Sequence, residues 1–533
     1  MYRFAISMCV LSALATSLPG AEVVVFSANP ALAEVPASPL RSQLAALPDV
    51  PRAKALAHLA TVPLIDAQSL NVSASGELWY KCVRPAIKTG FAPSTLGSST
   101  QGASVSINNP PKKHSKPGSS QVIYLDFTGA TVSGTAWNTS EGVTSWTAKP
   151  YSTDADFTTF SDAEQAAIVI IWERVSEDYA PFDVDVTTEA PSAMGPKTAW
   201  ALITTDVDAN GKKLPHFGAG GVAYVGKFGV TDFQTYSPAW VLDYNSPDPG
   251  ATKAIGDAAS HEVGHNLGLS HDGNATQGYE DGFSASSTAP SWGPIMGAPY
   301  DQQLSQWCKG DYIGANNKED DLAIIAQNMP YRSNDNGGVS NPQGLTVSNK
   351  VFSTSGFIGR TGEIDAFRIS LGDGPMTAVA KTFRTTGGTD GGNLDIKLSL
   401  LTAKGAVVTS DNPPAGVDAS ISTTVTAGTY ILTLEPSGAG NPTSARNGYT
   451  NYGSLGQYTL AGTGVTSTGG NGNVGGNGGG SANNNSGGAG NEIPGPTYDG
   501  ASNDSGSGGC GLGSGMGVML AGFFLLRLRL RRS

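Results

Sequence analysis

Three of the six histidines in this 533-residue chain fall in one short stretch, His261-Glu262-Val263-Gly264-His265-Asn266-Leu267-Gly268-Leu269-Ser270-His271. The pattern is H-E-x-x-H-x-x-G-x-x-H. On a helix, positions four apart share a face, so His261 and His265 can aim two imidazoles at one ion. Glu262 stands on the adjoining face, where its carboxylate reaches a water on that ion without being a ligand. A helix running on past Gly268 would carry His271 away. Glycine readily adopts the left-handed conformation that ends a helix, so the chain can turn there and return His271 as third ligand. Three protein ligands leave one position for water, the pattern of a catalytic zinc. The chemistry such a set supports is hydrolysis of a peptide bond, with Glu262 as general base and no covalent intermediate.

With these residues in place, the chain resembles the metzincin metallopeptidases. The family's methionine turn has a counterpart in Trp292-Gly293-Pro294-Ile295-Met296-Gly297, with Met296 beneath the metal. Asp272 follows His271, as in the adamalysin-like branch, where that acid is structural. Branches with a metal-binding Tyr two residues after the methionine are not matched, because Ala298 stands there. The resemblance implies an edge strand that pairs with extended substrate. Gly221, Val222 and Ala223, in Gly221–Tyr224, are the candidate substrate-binding residues.

The elements that must position this stretch are legible around it. Val122–Phe127 reads as a strand. Ser161-Asp162-Ala163-Glu164 is a capping box opening a helix to about Tyr179, with Ile168, Ile171, Trp172 and Val175 at helical spacing. Phe182–Thr188, Thr198–Thr205 and Gly220–Val225 read as further strands ahead of the zinc helix. Gln306–Ile325 would close the domain. Asp206-Val207-Asp208-Ala209-Asn210-Gly211 begins like a calcium loop, but Phe217 stands where the closing acid belongs. A hairpin turn is the better reading, with Ca2+ as the alternative.

The fold class expected is α+β: a metzincin catalytic domain over 118–335, with a mixed sheet and the zinc helix, then an antiparallel β-sandwich over 345–464. In the second region period-two alternation places Phe367, Ile369 and Leu371, then Leu394, Ile396 and Leu398, then Tyr430, Leu432 and Leu434, each on one face. Asp365-Ala366-Phe367, Asn393-Leu394-Asp395, Gly428-Thr429-Tyr430 and Gly453–Tyr458 resemble the bacterial pre-peptidase C-terminal domain. Its role would be binding, spacing or secretion.

The flanks speak of export. Residues 1–33 read as a secretory signal, with an apolar run Phe4–Leu18 and a cleavage site at Ala31-Leu32-Ala33. Residues 34–117 form a pro-region and linker, with little periodicity before about residue 90 and a basic pair, Lys112-Lys113, after it. Residues 465–509 are a Gly/Asn/Ser-rich linker. In 510–533, Cys510 and an apolar run precede Arg527, Arg529, Arg531 and Arg532. This segment resembles bacterial sorting signals of the glycine-glycine type and would touch the membrane before processing; a plain membrane anchor is the alternative. The protein is expected outside the cytoplasm or on the surface of a bacterium. Cys82 and Cys308 remain in the folded part. One disulfide is the simple reading in an exported protein. A sharper one places a Cys82 thiolate on the open zinc position, keeping a precursor latent, although Lys81-Cys82-Val83-Arg84-Pro85 lacks the flanking residues of the switch known in some metzincins.

A net charge of −12 over 533 residues argues against a nucleic-acid partner. Substrates would be extended protein or peptide segments. The rival class is a non-catalytic, zinc-containing surface adhesion protein, which has no need of Glu262.

Overall fold

The computed structural model describes residues 25–60, 62–84, 104–242, 251–388 and 390–466. They belong to one compact unit. Residues 1–24 of the expected signal segment 1–33, and all of the C-terminal segment 510–533, lie outside the described residues. Among the described residues no helix is long and apolar enough to cross a membrane.

A seven-stranded sheet forms the frame of the first half. Its strands in chain order are β1 (Leu70–Val72), β2 (Leu78–Cys82), β3 (Val122–Asp126), β4 (Asp185–Thr187), β5 (Thr198–Thr204), β6 (Gly221–Tyr224) and β7 (Ala239–Leu242). The spatial order is β1-β2-β6-β7-β5-β3-β4. β7, β5, β3 and β4 run parallel to one another, while β6 is antiparallel to both β7 and β2. The strands expected over 122–127, 182–188, 198–205 and 220–225 are present in shorter form, while β7 has no signal in the sequence. Its Ala239-Trp240-Val241-Leu242 is buried throughout, and a short all-apolar run carries no period.

β6 has no free edge. β2 lies against it, with Cys82 opposite Gly221, Lys81 opposite Val222, Tyr80 opposite Ala223 and Trp79 opposite Tyr224. β2 comes from the segment with little periodicity, yet residues 25–60 and 62–84 fold. Helices α1 (Pro39–Ala46) and α2 (Asp49–His58) pack with Phe26, Val35, Leu59, Leu70, Leu78 and Tyr80 into a small core of their own. Both helices are short, of eight and ten residues. Their stability comes from that packing rather than from propensity.

Helices α3 (Asp162–Asp178) and α4 (Ala251–Leu267) cover one face of the sheet. Ser161 caps α3, its hydroxyl accepting from Glu164 N while Glu164 returns a carboxylate to Ser161 N. Asp320 caps α5 (Asp321–Asn328) in the closing segment.

The second half holds two sheets. Five strands run in the order Gln343–Leu345, Asp365–Leu371, Gly428–Pro436, Ile396–Thr402, Val407–Asp411, and four in the order Val351–Ile358, Gly456–Thr463, Gly374–Thr382, Ala419–Val425. The expected alternation appears as buried Phe367, Ile369 and Leu371 between exposed Arg368 and Ser370. The pairing is antiparallel except at Gln343–Leu345, which joins parallel to Asp365–Leu371. This half is seated on the first. Glu177 accepts from Gln457 N and Nε2, both at 2.9 Å, Glu173 from Thr386 N at 2.8 Å, and Asp178 from Asn393 Nδ2 at 2.7 Å.

The expected disulfide is not formed. Cys82 and Cys308 are both free and buried. Cys82 packs in the N-terminal core, while Cys308 belongs to a separate cluster with Trp292, Leu304 and Tyr312.

Candidate metal centre

The zinc stretch lies on α4 and the turn after it. His261 and His265 are one helical turn apart on the face turned toward β2. Gly268, at φ 110°, is left-handed, and its N–H returns to His265 O at 2.9 Å while Leu269 N reaches Gly264 O at 3.0 Å. The chain reverses there and brings His271 to the other two. All three rings are buried.

His261 Nδ1 is 2.8 Å from Ile295 O and His265 Nδ1 is 2.8 Å from Leu269 O, so both rings donate to carbonyls and turn Nε2 inward. His271 Nδ1 lies 3.4 Å from Ser69 Oγ. Burial pushes the His261 imidazolium pKa down to about 4, and those of His265 and His271 well below the usual value, so the rings are neutral and available to a metal.

Met296 sits beneath. A Cβ on Gly264 would stand 2.6 Å from Met296 Sδ, so the helix can rest on the sulfur only because residue 264 is glycine. Asp272 is buried behind the site. Its N–H donates to Met296 O at 2.9 Å and its carbonyl accepts from Glu280 N at 2.7 Å, which ties the segment after His271 to Met296. Glu262 is buried, its carboxyl pKa pushed well up by desolvation and moderated by a hydrogen bond from the Cys82 thiol. Gly221 stands directly against that carboxylate.

The fourth member is Cys82. Its Sγ lies 3.5 Å from His261 Nε2, 3.4 Å from His265 Nε2 and 3.6 Å from His271 Nε2. These four atoms fall within 4.8 Å of one another. Zinc bonds of about 2.3 Å to sulfur and about 2.0–2.1 Å to nitrogen, at tetrahedral angles, set sulfur and nitrogen about 3.6 Å apart. The donor set therefore fits a four-coordinate zinc in both chemistry and dimensions.

Several residues around the centre had no signal in the sequence. Tyr80 stacks on His265 with centroids 4.2 Å apart and leans on His271 at 4.1 Å. Its hydroxyl donates to Asp66 Oδ2 at 2.7 Å. Burial pushes the Asp66 carboxyl pKa up to about 8. Tyr279 lies 4.1 Å from the His271 ring, and its hydroxyl donates to Lys81 O at 3.4 Å. Only the last strand of the N-terminal lobe could have been suspected, through its cysteine. On the far side of α4, Ser260 donates to Asp178 Oδ2 at 2.6 Å, so the residue before His261 is tied through Asp178 to Asn393 of the second half.

In the Asp206–Gly211 loop, Asp208 Oδ1 accepts from Asn210 N and Lys212 N, both at 2.8 Å, and Oδ2 from Thr147 N at 3.1 Å. The loop is a hairpin turn closed by its own carboxylate.

Residues 196–272, which run from β5 through the third histidine, match the family described as metallo-peptidase family M12B, reprolysin-like. No curated protein sequence matches the chain. Among solved structures, the pre-peptidase C-terminal domain of collagenase from Bacillus anthracis is similar at 12% identity, covering 23% of this chain and 98% of that one with a TM-score of 0.15. PliG, a periplasmic inhibitor of g-type lysozyme from Salmonella Typhimurium, is similar at 12% identity, 23% and 98% coverage and a TM-score of 0.14. The chain thus resembles the reprolysin-like metallopeptidases across its zinc stretch and carries a buried three-histidine, one-cysteine group, which together support a zinc peptidase acting on proteins or peptides.

Proposed function

We propose that this chain is an exported zinc endopeptidase of metzincin type, folded as a latent precursor in which Cys82 takes the position that water needs. The observation that carries the reading is the Cys82 sulfur, 3.4–3.6 Å from three histidine nitrogens. In this reading residues 118–335 are the catalytic domain, 345–464 a β-sandwich, and 34–117 the pro-region and linker. Export is supported by the apolar run Phe4–Leu18 and by the basic end of 510–533.

His261, His265 and His271 would hold the zinc, which when bound polarises the substrate carbonyl and acidifies water. The chain's own residues do the rest. Glu262, desolvated and beside the metal position, takes the proton of the attacking water and hands it to the leaving amine. Once β2 has left, β6 offers the backbone N–H and C=O groups that β2 now uses, and an extended substrate takes its place. Met296 and Asp272 fix the floor on which the ligands stand.

A closed set of three histidines and a cysteine is also what a structural zinc site has, and that favours the rival, a non-catalytic surface protein. The two part on Cys82→Ser. In the full chain loaded with zinc, wild type should be inactive on an unfolded protein and Cys82→Ser active, with Glu262→Ala abolishing that activity at unchanged zinc content. A Cys82→Ser protein that binds zinc and cleaves nothing, before and after removal of the N-terminal lobe, gives the structural reading the better claim.

A further inference from the structure

We infer that the substrate cleft carries a preformed aromatic subsite, walled by Trp137, His216 and Tyr224 and filled here by Trp79, which selects substrates with an aromatic side chain on the amino-terminal side of the cleaved bond. The inference deepens the peptidase reading and rests on it.

β2 lies along β6 as an extended chain with its Cys82 end at the metal position. Alternate residues of a strand face opposite ways. Tyr80 and Cys82 turn toward the histidines, so Trp79 turns to the other side. There it stacks on His216, centroids 3.9 Å and planes 24° apart, and meets Trp137 edge-on at 5.6 Å. Tyr224, its partner across the ladder, closes the third wall, 4.3 Å from Trp137. Trp79 is 4% exposed.

The walls are held by the catalytic half alone. Trp137 Nε1 donates to Pro238 O at 3.0 Å. Tyr224 packs edge-on against Tyr236 at 4.9 Å. His216 is fixed in a left-handed turn at φ 57°. Departure of β2 therefore vacates a slot with three aromatic sides rather than collapsing it. Any chain that replaces β2 in its direction and register places a side chain in that slot three residues before the one at the metal.

The same register defines a second contact. Glu77, two residues before Trp79, is paired with Lys54 of its own lobe and with Lys227 at 2.6 Å. Lys227 belongs to the catalytic half and lies over the Tyr236 ring at 4.4 Å. It stays when the lobe goes. An acidic residue two positions before the aromatic one is the favoured companion.

The test uses full-length, zinc-loaded protein activated through Cys82 and given a denatured protein whose fragments are sequenced by mass spectrometry. Aromatic residues should be enriched at one fixed position before the cut. Matched quenched peptides with Trp or Phe there should exceed Ala or Glu by about tenfold or more in kcat/KM, the range a filled apolar pocket gives. His216→Gly, which tolerates the left-handed turn, should shrink that ratio. In the latent wild-type background, Trp79→Ala should speed reaction of Cys82 with a thiol reagent and Trp79→Phe should not. Cleavage without an aromatic preference, or a ratio indifferent to His216→Gly together with equal thiol rates for Trp79→Ala and Trp79→Phe, overturns the subsite and leaves the peptidase standing. Failure of the activated protein to cleave any substrate overturns the peptidase reading and the subsite with it.

Discussion

Gly221 and Glu262 occupy a space that admits only one side chain: a Cβ on Gly221 would overlap the Glu262 carboxylate and stand 2.7 Å from its Cγ. The glycine of β6 thus sets how close the Glu262 carboxylate comes to that strand. Gly221→Ala must push the carboxylate aside or bow β6 away from α4. Displacement of a catalytic group by about 1 Å costs on the order of a hundredfold. We expect Gly221→Ala, in a Cys82→Ser background, to lose about that much in kcat while its zinc content, measured by metal analysis, stays that of the parent.

Glu262→Gln removes the base and keeps the shape. Activity should fall by about 10²–10⁴-fold, the usual worth of positioned acid–base catalysis. Zinc stoichiometry should not change, because the carboxylate is no ligand. Substantial residual hydrolysis would show that another group takes the proton.

His271→Ala should weaken zinc binding by more than about a hundredfold, beyond what loss of a mere supporting hydrogen bond costs. Competition with a chromophoric chelator reads this directly. Unchanged affinity would mean that the third ligand is elsewhere.

Asp178 links the zinc helix to the second half by accepting from Ser260 and Asn393. Asp178→Ala leaves both donors buried without their acceptor and should cost about 2–5 kcal/mol of stability, measured by denaturant unfolding. A fall in activity larger than the loss of folded protein accounts for would show that the second half positions the helix. A neutral substitution would reduce it to an appendage.

The buried carboxyls at that contact also set a pH dependence. Burial pushes Glu177 up to about 8 and Asp178 up to about 7. The folded chain therefore holds their protons at a pH where the unfolded chain, with ordinary carboxyls, has released them. Their contribution is present in full near pH 4 and is lost as pH rises toward 7–8. Glu177→Gln should flatten the decline in Tm between pH 5 and pH 8. A variant with the parent's slope would place the pH dependence on other groups.

The sequence determined the metal-binding set of this protein because that set is local. His261, Glu262 and His265 share a helix, Gly268 must turn left-handed to return His271, and the three need nothing distant to define a zinc set. The capping box at Ser161 and the strands beginning near 122, 182, 198 and 220 were legible for the same reason, since each signal lies within a few residues of what it specifies. Met296 was legible through the family pattern, although why residue 264 is glycine became plain only with the sulfur beneath it. The fourth member of that group was another matter. Cys82 lies 179 residues from His261, and nothing near it in sequence says which partner it meets. Local pattern left a disulfide with Cys308 as the simple reading, and only the pairing of β2 with β6 decided against it. Asp66, Ser69, Tyr80 and Tyr279 reach the histidines through that same lobe and its neighbours, with no periodicity to announce them. Side-chain type and short spacing fix which reaction a site can perform; long-range strand pairing decides what occupies it, and that depends on contacts that no local window of sequence contains.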